Sequence, residues 1–103
     1  MSTPVELIAA AEIPLGESRE IVAAGRIFAV YNVDGTFHVM DGICPHAGGP
    51  LGKGMLRNNI VTCPWHGWQF DVTTGKHCLN DRICQPTIPS QIVEGVVVAM
   101  LAE

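Results

Sequence analysis

Two short loops, each pairing one cysteine with one histidine, constrain this chain more than any other feature. Cys44-Pro45-His46 stands in the first and Cys63-Pro64-Trp65-His66 in the second, with sixteen residues between His46 and Cys63. Each loop offers a soft thiolate and an imidazole, so the pair offers two sulfur and two nitrogen ligands. Gly48, Gly49, Gly52 and Gly67 lie around them and let backbone come close to a bound group. Two inorganic species accept this donor set: a tetrahedral zinc ion and a 2Fe–2S cluster with two Cys on one iron and two His on the other. Structural zinc sites usually pair like ligands. Here each loop holds one of each kind, which suits a cluster that both loops reach across.

The rest of the 103-residue chain has room for one domain. Its residues are 48% apolar and 16% charged, which excludes a disordered chain, and 11 Gly and 7 Pro argue against a coiled coil. The longest apolar run, 96–102, is seven residues and too short to span a membrane. No Lys or Arg precedes Arg19, so the positive start of a secretory signal is missing and a cytoplasmic location is expected. In that compartment four Cys are not expected to form structural disulfides. The net charge of −4 argues against nucleic acid as a partner. Residues 1–40 carry −3, residues 41–76 carry +1 and residues 77–103 carry −2, so the segment with the metal-type residues is nearly neutral.

Runs rich in Val, Ile, Phe and Tyr predict strands at 5–9, 19–23, 26–33, 36–40, 59–62, 69–72, 91–93 and 96–101. Asp34-Gly35 and Glu94-Gly95 predict tight hairpin turns. A helical turn at 9–12 is stopped by Pro14. The pattern is all-β, with stacked antiparallel sheets in a sandwich or barrel. Residues of about 41–76 read as a small ligand-binding subdomain of two loops, inserted in a β scaffold of 1–40 and 77–103.

The stretch Cys44-Pro45-His46-Ala47-Gly48-Gly49-Pro50-Leu51, followed by Cys63-Pro64-Trp65-His66-Gly67-Trp68-Gln69-Phe70-Asp71-Val72-Thr73-Thr74-Gly75, resembles the Rieske iron–sulfur signature. The resemblance implies a Rieske-like fold and one 2Fe–2S cluster, with Cys44 and Cys63 on one iron and His46 and His66 on the other. Rieske proteins of respiratory and photosynthetic complexes carry an extra disulfide; its positions here hold Gly49 and Trp65. They also carry a Ser and a Tyr that donate to the cluster, where this chain has Trp68 and Phe70. Fewer donors stabilise the reduced cluster less, so the expected potential is nearer about −150 mV than about +300 mV. In Rieske folds a third, Pro-containing loop covers the cluster, and Pro86-Thr87-Ile88-Pro89 sits at the matching place. Leu51, Met55, Trp65 and Trp68 are expected to shield the cluster or form an apolar docking face. His38 and His77 read as structural, and Cys78 and Cys84 as free thiols.

An isolated domain of this kind resembles the soluble ferredoxins of ring-hydroxylating dioxygenase systems. That implies a monomeric one-electron carrier, not itself an enzyme, which docks transiently with a flavin-dependent reductase and a terminal oxygenase. A terminal oxygenase would need a further iron held by two His and a carboxylate, and only His38 and His77 are left over. No Gly-rich nucleotide loop is present. The alternatives are the small Rieske-like subunit of an assimilatory nitrite reductase, a zinc-binding structural module, and a stand-alone redox sensor.

Overall fold

The computed structural model describes residues 2–45, 48–65, 67–80 and 82–102. Its strands run in chain order as β1 (Ser2–Ala9), β2 (Ser18–Ala23), β3 (Arg26–Val33), β4 (Thr36–Asp41), β5 (Met55–Arg57), β6 (Ile60–Thr62), β7 (Gln69–Asp71), β8 (Thr87–Ile88), β9 (Ser90–Val93) and β10 (Val96–Ala102). They form three antiparallel sheets, ordered β1-β10-β9, β2-β3-β4-β8 and β5-β6-β7. The all-β expectation holds.

Local chemistry explains the hairpins. Asp34 and Gly35 have φ of 51° and 90°, and Glu94 and Gly95 have 50° and 79°. Two successive positive φ angles make a turn whose twist matches the strands it joins. Ala24 and Gly25 do the same between β2 and β3, with φ of 51° and 71°. The 3-10 turn Ala10–Glu12 falls where a helical turn was expected before Pro14.

β3 is the strand that organises the molecule. It is buried from Phe28 to Asn32, and its alternating side chains serve two cores. Phe28 and Val30 join Ile13, Val39, Val97 and Ala99 on one face. Ala29 and Tyr31 join Met40, Cys44, Leu51, Val61, Cys63, Phe70 and Val72 on the other. The central sheet is thus covered by β1-β10-β9 on one side and by the segment bearing β5-β6-β7 on the other.

Three elements depart from the sequence-based expectation. β1 begins at Ser2 and runs along the full length of β10, with a bulge between Glu6 and Ile8. β5 was unforeseen, since its three residues are ordered by pairing with β6. The Pro86–Pro89 segment, read as loop, contains β8, where Ile88 and Thr87 pair with Val39 and Met40. In both new strands the ladder comes from a partner distant in sequence or from a neighbour, which local propensity does not record.

Candidate metal centre

The two cysteine loops share one construction. The Cys44 N–H donates to Gly49 O at 2.9 Å, and the Cys63 N–H donates to Trp68 O at 2.7 Å. Each loop is therefore closed at its base by a bond from the cysteine to the residue five positions on. The first is further zipped by the Ile43 and Pro50 pairing and by Leu51 N–H on Gly42 O at 3.0 Å. The Leu51–Lys53 turn seats it on β2, where Ser18 Oγ donates to Gly54 O at 2.7 Å.

These closures bring the two cysteines together in the core beneath the loops. Cys44 and Cys63 are each 1% exposed, and both are free thiols. Burial pushes the Cys63 thiol up; the Trp65 backbone N–H that donates to its sulfur works against this, while the contacting Cys44 thiol adds to it. Two thiolates side by side and out of water repel each other. A metal centre that displaces their protons supplies the missing positive charge. Backbone spacing fits too: a Cβ on Gly49 would lie 2.6 Å from Cys63 Sγ and 3.1 Å from Trp65 Cβ. Only a residue without a side chain leaves that sulfur its place. The pair thus fits the sulfur half of a two-sulfur, two-nitrogen site. His46 and His66 lie outside the described residues.

The floor of the site is apolar apart from one hydroxyl. Tyr31, fully buried, donates from its OH to Leu51 O at 3.0 Å. Burial, and then the negative charge of Cys63 and Cys44, pushes its phenol far up, so it stays a neutral donor. Tyr31 was not foreseen as a site residue because it reads as an ordinary strand aromatic. Leu51 is fully buried in the same core and offers no surface, whereas Trp65 is 51% exposed. Met55 is exposed and lines an open groove with Arg57, Ile60 and Gln69 on β5-β6-β7. Trp68 is half-buried and packs on Phe70, with ring centroids 6.4 Å apart. Phe70 is fully buried. Pro86 is exposed, and its carbonyl accepts the Asp41 N–H at 3.1 Å.

The leftover residues have other partners. His77 Nδ1 accepts the Leu79 and Asn80 N–H groups at 3.1 and 3.2 Å. Its ring meets Trp68 and Phe70 almost perpendicularly, at 4.7 and 5.2 Å. His38 lies on β4 near the Asp71 carboxylate. Cys78 and Cys84 are exposed free thiols. Among the described residues, no helix is long and apolar enough to cross a membrane.

Residues 3–90 match the family model described as Rieske [2Fe-2S] domain. A cholesterol 7-desaturase nvd of Hemicentrotus pulcherrimus is 39% identical over 70% of this chain, but the chain spans 16% of that protein. The ferredoxin component of a naphthalene 1,2-dioxygenase system of Pseudomonas aeruginosa is 32% identical over 80% of this chain and 74% of its own. Among solved structures, a ferredoxin of Sphingomonas yanoikuyae B1 superposes with a TM-score of 0.88 at 31% identity, covering 97% of this chain and 100% of that one. A complex of reduced oxygenase and oxidized ferredoxin in carbazole 1,9a-dioxygenase gives a TM-score of 0.86 at 26% identity, over 94% and 92%. A putative NADH-dependent nitrite reductase small subunit of Mycobacterium tuberculosis gives 0.89 over 100% and 98%, but at 17% identity, so it shares the fold alone.

Proposed function

Because this chain belongs to the Rieske [2Fe-2S] domain family, we propose that it is a one-electron carrier between a flavin-dependent reductase and a terminal ring-hydroxylating oxygenase. The family's 2Fe–2S cluster, when bound, takes up and releases one electron. Cys44 and Cys63 hold one iron in this reading, and His46 and His66 hold the other. The chain's own residues do the rest. Tyr31, Leu51, Val61 and Phe70 keep water from the sulfur side. The Trp65 N–H gives the Cys63 sulfur a donor. The exposed Trp65 ring and the neighbouring exposed Pro64 offer an apolar contact, and transient redox encounters use small interfaces.

The observation that carries this reading is the likeness to a dioxygenase ferredoxin component along most of both sequences. The carbazole 1,9a-dioxygenase ferredoxin solved together with its oxygenase supports an oxygenase as the partner. A nitrite reductase role is favoured only by a shared fold. The desaturase relative is far longer than this chain, and its activity is not carried over.

EPR of the dithionite-reduced protein tests the centre: a Rieske signal is expected, and Cys44→Ser and His66→Ala should abolish it. A colourless protein with bound zinc would support the structural-module reading instead. Reconstitution with purified partners tests the role. Oxygenase turnover that does not depend on this chain, beside a sirohaem nitrite reductase that does, would overturn it.

A further inference from the structure

Asn32 and Gln85 are the buried polar residues of the described chain, 6% and 2% exposed. Gln85 has no part in the ligand signature, yet it is bound to the first cysteine loop. Its Nε2 donates to Asp41 O at 2.6 Å and to Ile43 O at 2.7 Å, across separations of 44 and 42 residues. Both hydrogens of the side-chain amide are spent on backbone that leads straight into Cys44. The peptide joining Ile43 to Cys44 is consequently held at both ends. Its oxygen accepts from Gln85, and its N–H donates to Gly49 O at 2.9 Å.

Gln85 is itself anchored on its other side. Its N–H donates to Gly75 O at 2.7 Å. Gly75 has φ of +81°, and a side chain there would run into the Gln85 carbonyl. The next carbonyl, that of Pro86, accepts the Asp41 N–H at 3.1 Å. The segment entering β8 is thus fastened both to the Asp71–Gly75 turn and to the end of β4.

We propose that Gln85 is a positioning residue for the cluster: its amide fixes the Ile43–Cys44 peptide and so sets the place of the Cys44 sulfur. The inference rests on Cys44 being a cluster ligand. A glutamine suits this task, because two donors on one planar group match two carbonyl oxygens two residues apart. A glutamate of the same shape would present acceptors to acceptors.

Asn32 provides the control. Its Nδ2 donates to Ile13 O at 2.7 Å, on the side of the sheet away from the cysteines. Gln85→Met keeps most of the side-chain volume and removes both donors; Asn32→Ala removes two bonds elsewhere, the buried one to Ile13 O and the one its Oδ1 accepts from the Gly35 N–H at 2.9 Å. Each variant is read by thermal midpoint, by the g values and midpoint potential of the reduced protein, and by the rate at which a chelator bleaches the visible absorbance. Both variants are expected to melt earlier. Of these two variants only Gln85→Met should shift the g values and the potential and bleach faster, by roughly tenfold or more, the weight of two lost buried hydrogen bonds. Gln85→Asn keeps the donors on a shorter arm and is expected to fall between, which covers the case of Gln85→Met failing to fold. Wild-type g values and potential in the Gln85 variants would overturn the proposal alone. A wild-type protein without a Rieske signal would overturn the ligand reading with it.

Discussion

Replacing Gly49 by alanine tests how closely the Cys63 sulfur is confined. The added Cβ would stand 2.6 Å from Cys63 Sγ and 3.1 Å from Trp65 Cβ. Ordinary contact between such atoms needs about 3.5–4.0 Å, so roughly 1 Å must be found. The neighbours have little to give. Cys63 is 1% exposed, its N–H is tied to Trp68 O at 2.7 Å, and its sulfur takes the Trp65 N–H. Overpacking of a filled core costs about 1–3 kcal/mol, and for a domain of this size each kcal/mol lowers the melting midpoint by about 4–8 °C. The displaced atom is also the one proposed to bind iron. Gly49→Ala should therefore carry well below one cluster per chain, read as iron and sulfide content and as EPR spin count, and melt earlier by circular dichroism. Gly48→Ala is the control. Gly48 has φ of +77° and no described atom within 4 Å of the added Cβ. It should lose about 1–2 kcal/mol to left-handed backbone strain while keeping its cluster. Full cluster content and an unmoved midpoint in Gly49→Ala would refute the confinement argument.

Tyr31→Phe removes a hydroxyl that donates to the buried Leu51 carbonyl, which keeps the Gly54 N–H at 3.0 Å, so the loss should be about 0.5–1.5 kcal/mol in a denaturant titration; an unchanged midpoint would show that the bond contributes nothing. The Asp71 carboxyl is held below its ordinary value of 3.8: burial alone would raise it, but the Thr73 hydroxyl and N–H, Asn59 and nearby His38 outweigh that. A lowered folded-state value means that Asp71 stabilises the fold fully above pH about 4 and that this contribution fades as pH falls through the folded value. Urea midpoints measured from pH 5 downward should drop more steeply in the wild type than in Asp71→Asn, and parallel curves would contradict this. With Phe70 buried and without a hydroxyl, the midpoint potential is expected below zero, flat around neutral pH and falling only at high pH; a positive midpoint, or a steep slope near pH 7, would count against it. Phe70→Tyr restores a donor and should raise the potential, as protein-film voltammetry would show.

The parts of this molecule that could be read from residues are those whose causes are local. β3 carries its own apolar run, and Asp34-Gly35 carries its own turn geometry, so both were legible. Cys44 and Cys63 stood out because ligand spacing is a property of a few consecutive residues. What escaped depends on partners far along the chain. β5 and β8 exist through their ladders. Gln85, in a segment punctuated by Pro86 and Pro89, reads as a solvated loop residue until its amide is seen across 42 residues on Ile43. Leu51 could be named as near the site, but only packing decides between shield and surface, and it is fully buried.

β3 is a wall shared by two rooms, and the two rooms make unequal demands on it. At Phe28 and Val30 the neighbours are other apolar side chains filling the space between sheets, so any residue of suitable bulk serves. At Ala29 and Tyr31 the neighbours include the cysteines and the Leu51 carbonyl, where bulk alone is not enough. In a lineage of such chains, drift at the middle of this strand should therefore alternate: positions 28 and 30 wander among hydrophobic types, while positions 29 and 31 change only when the redox centre changes with them.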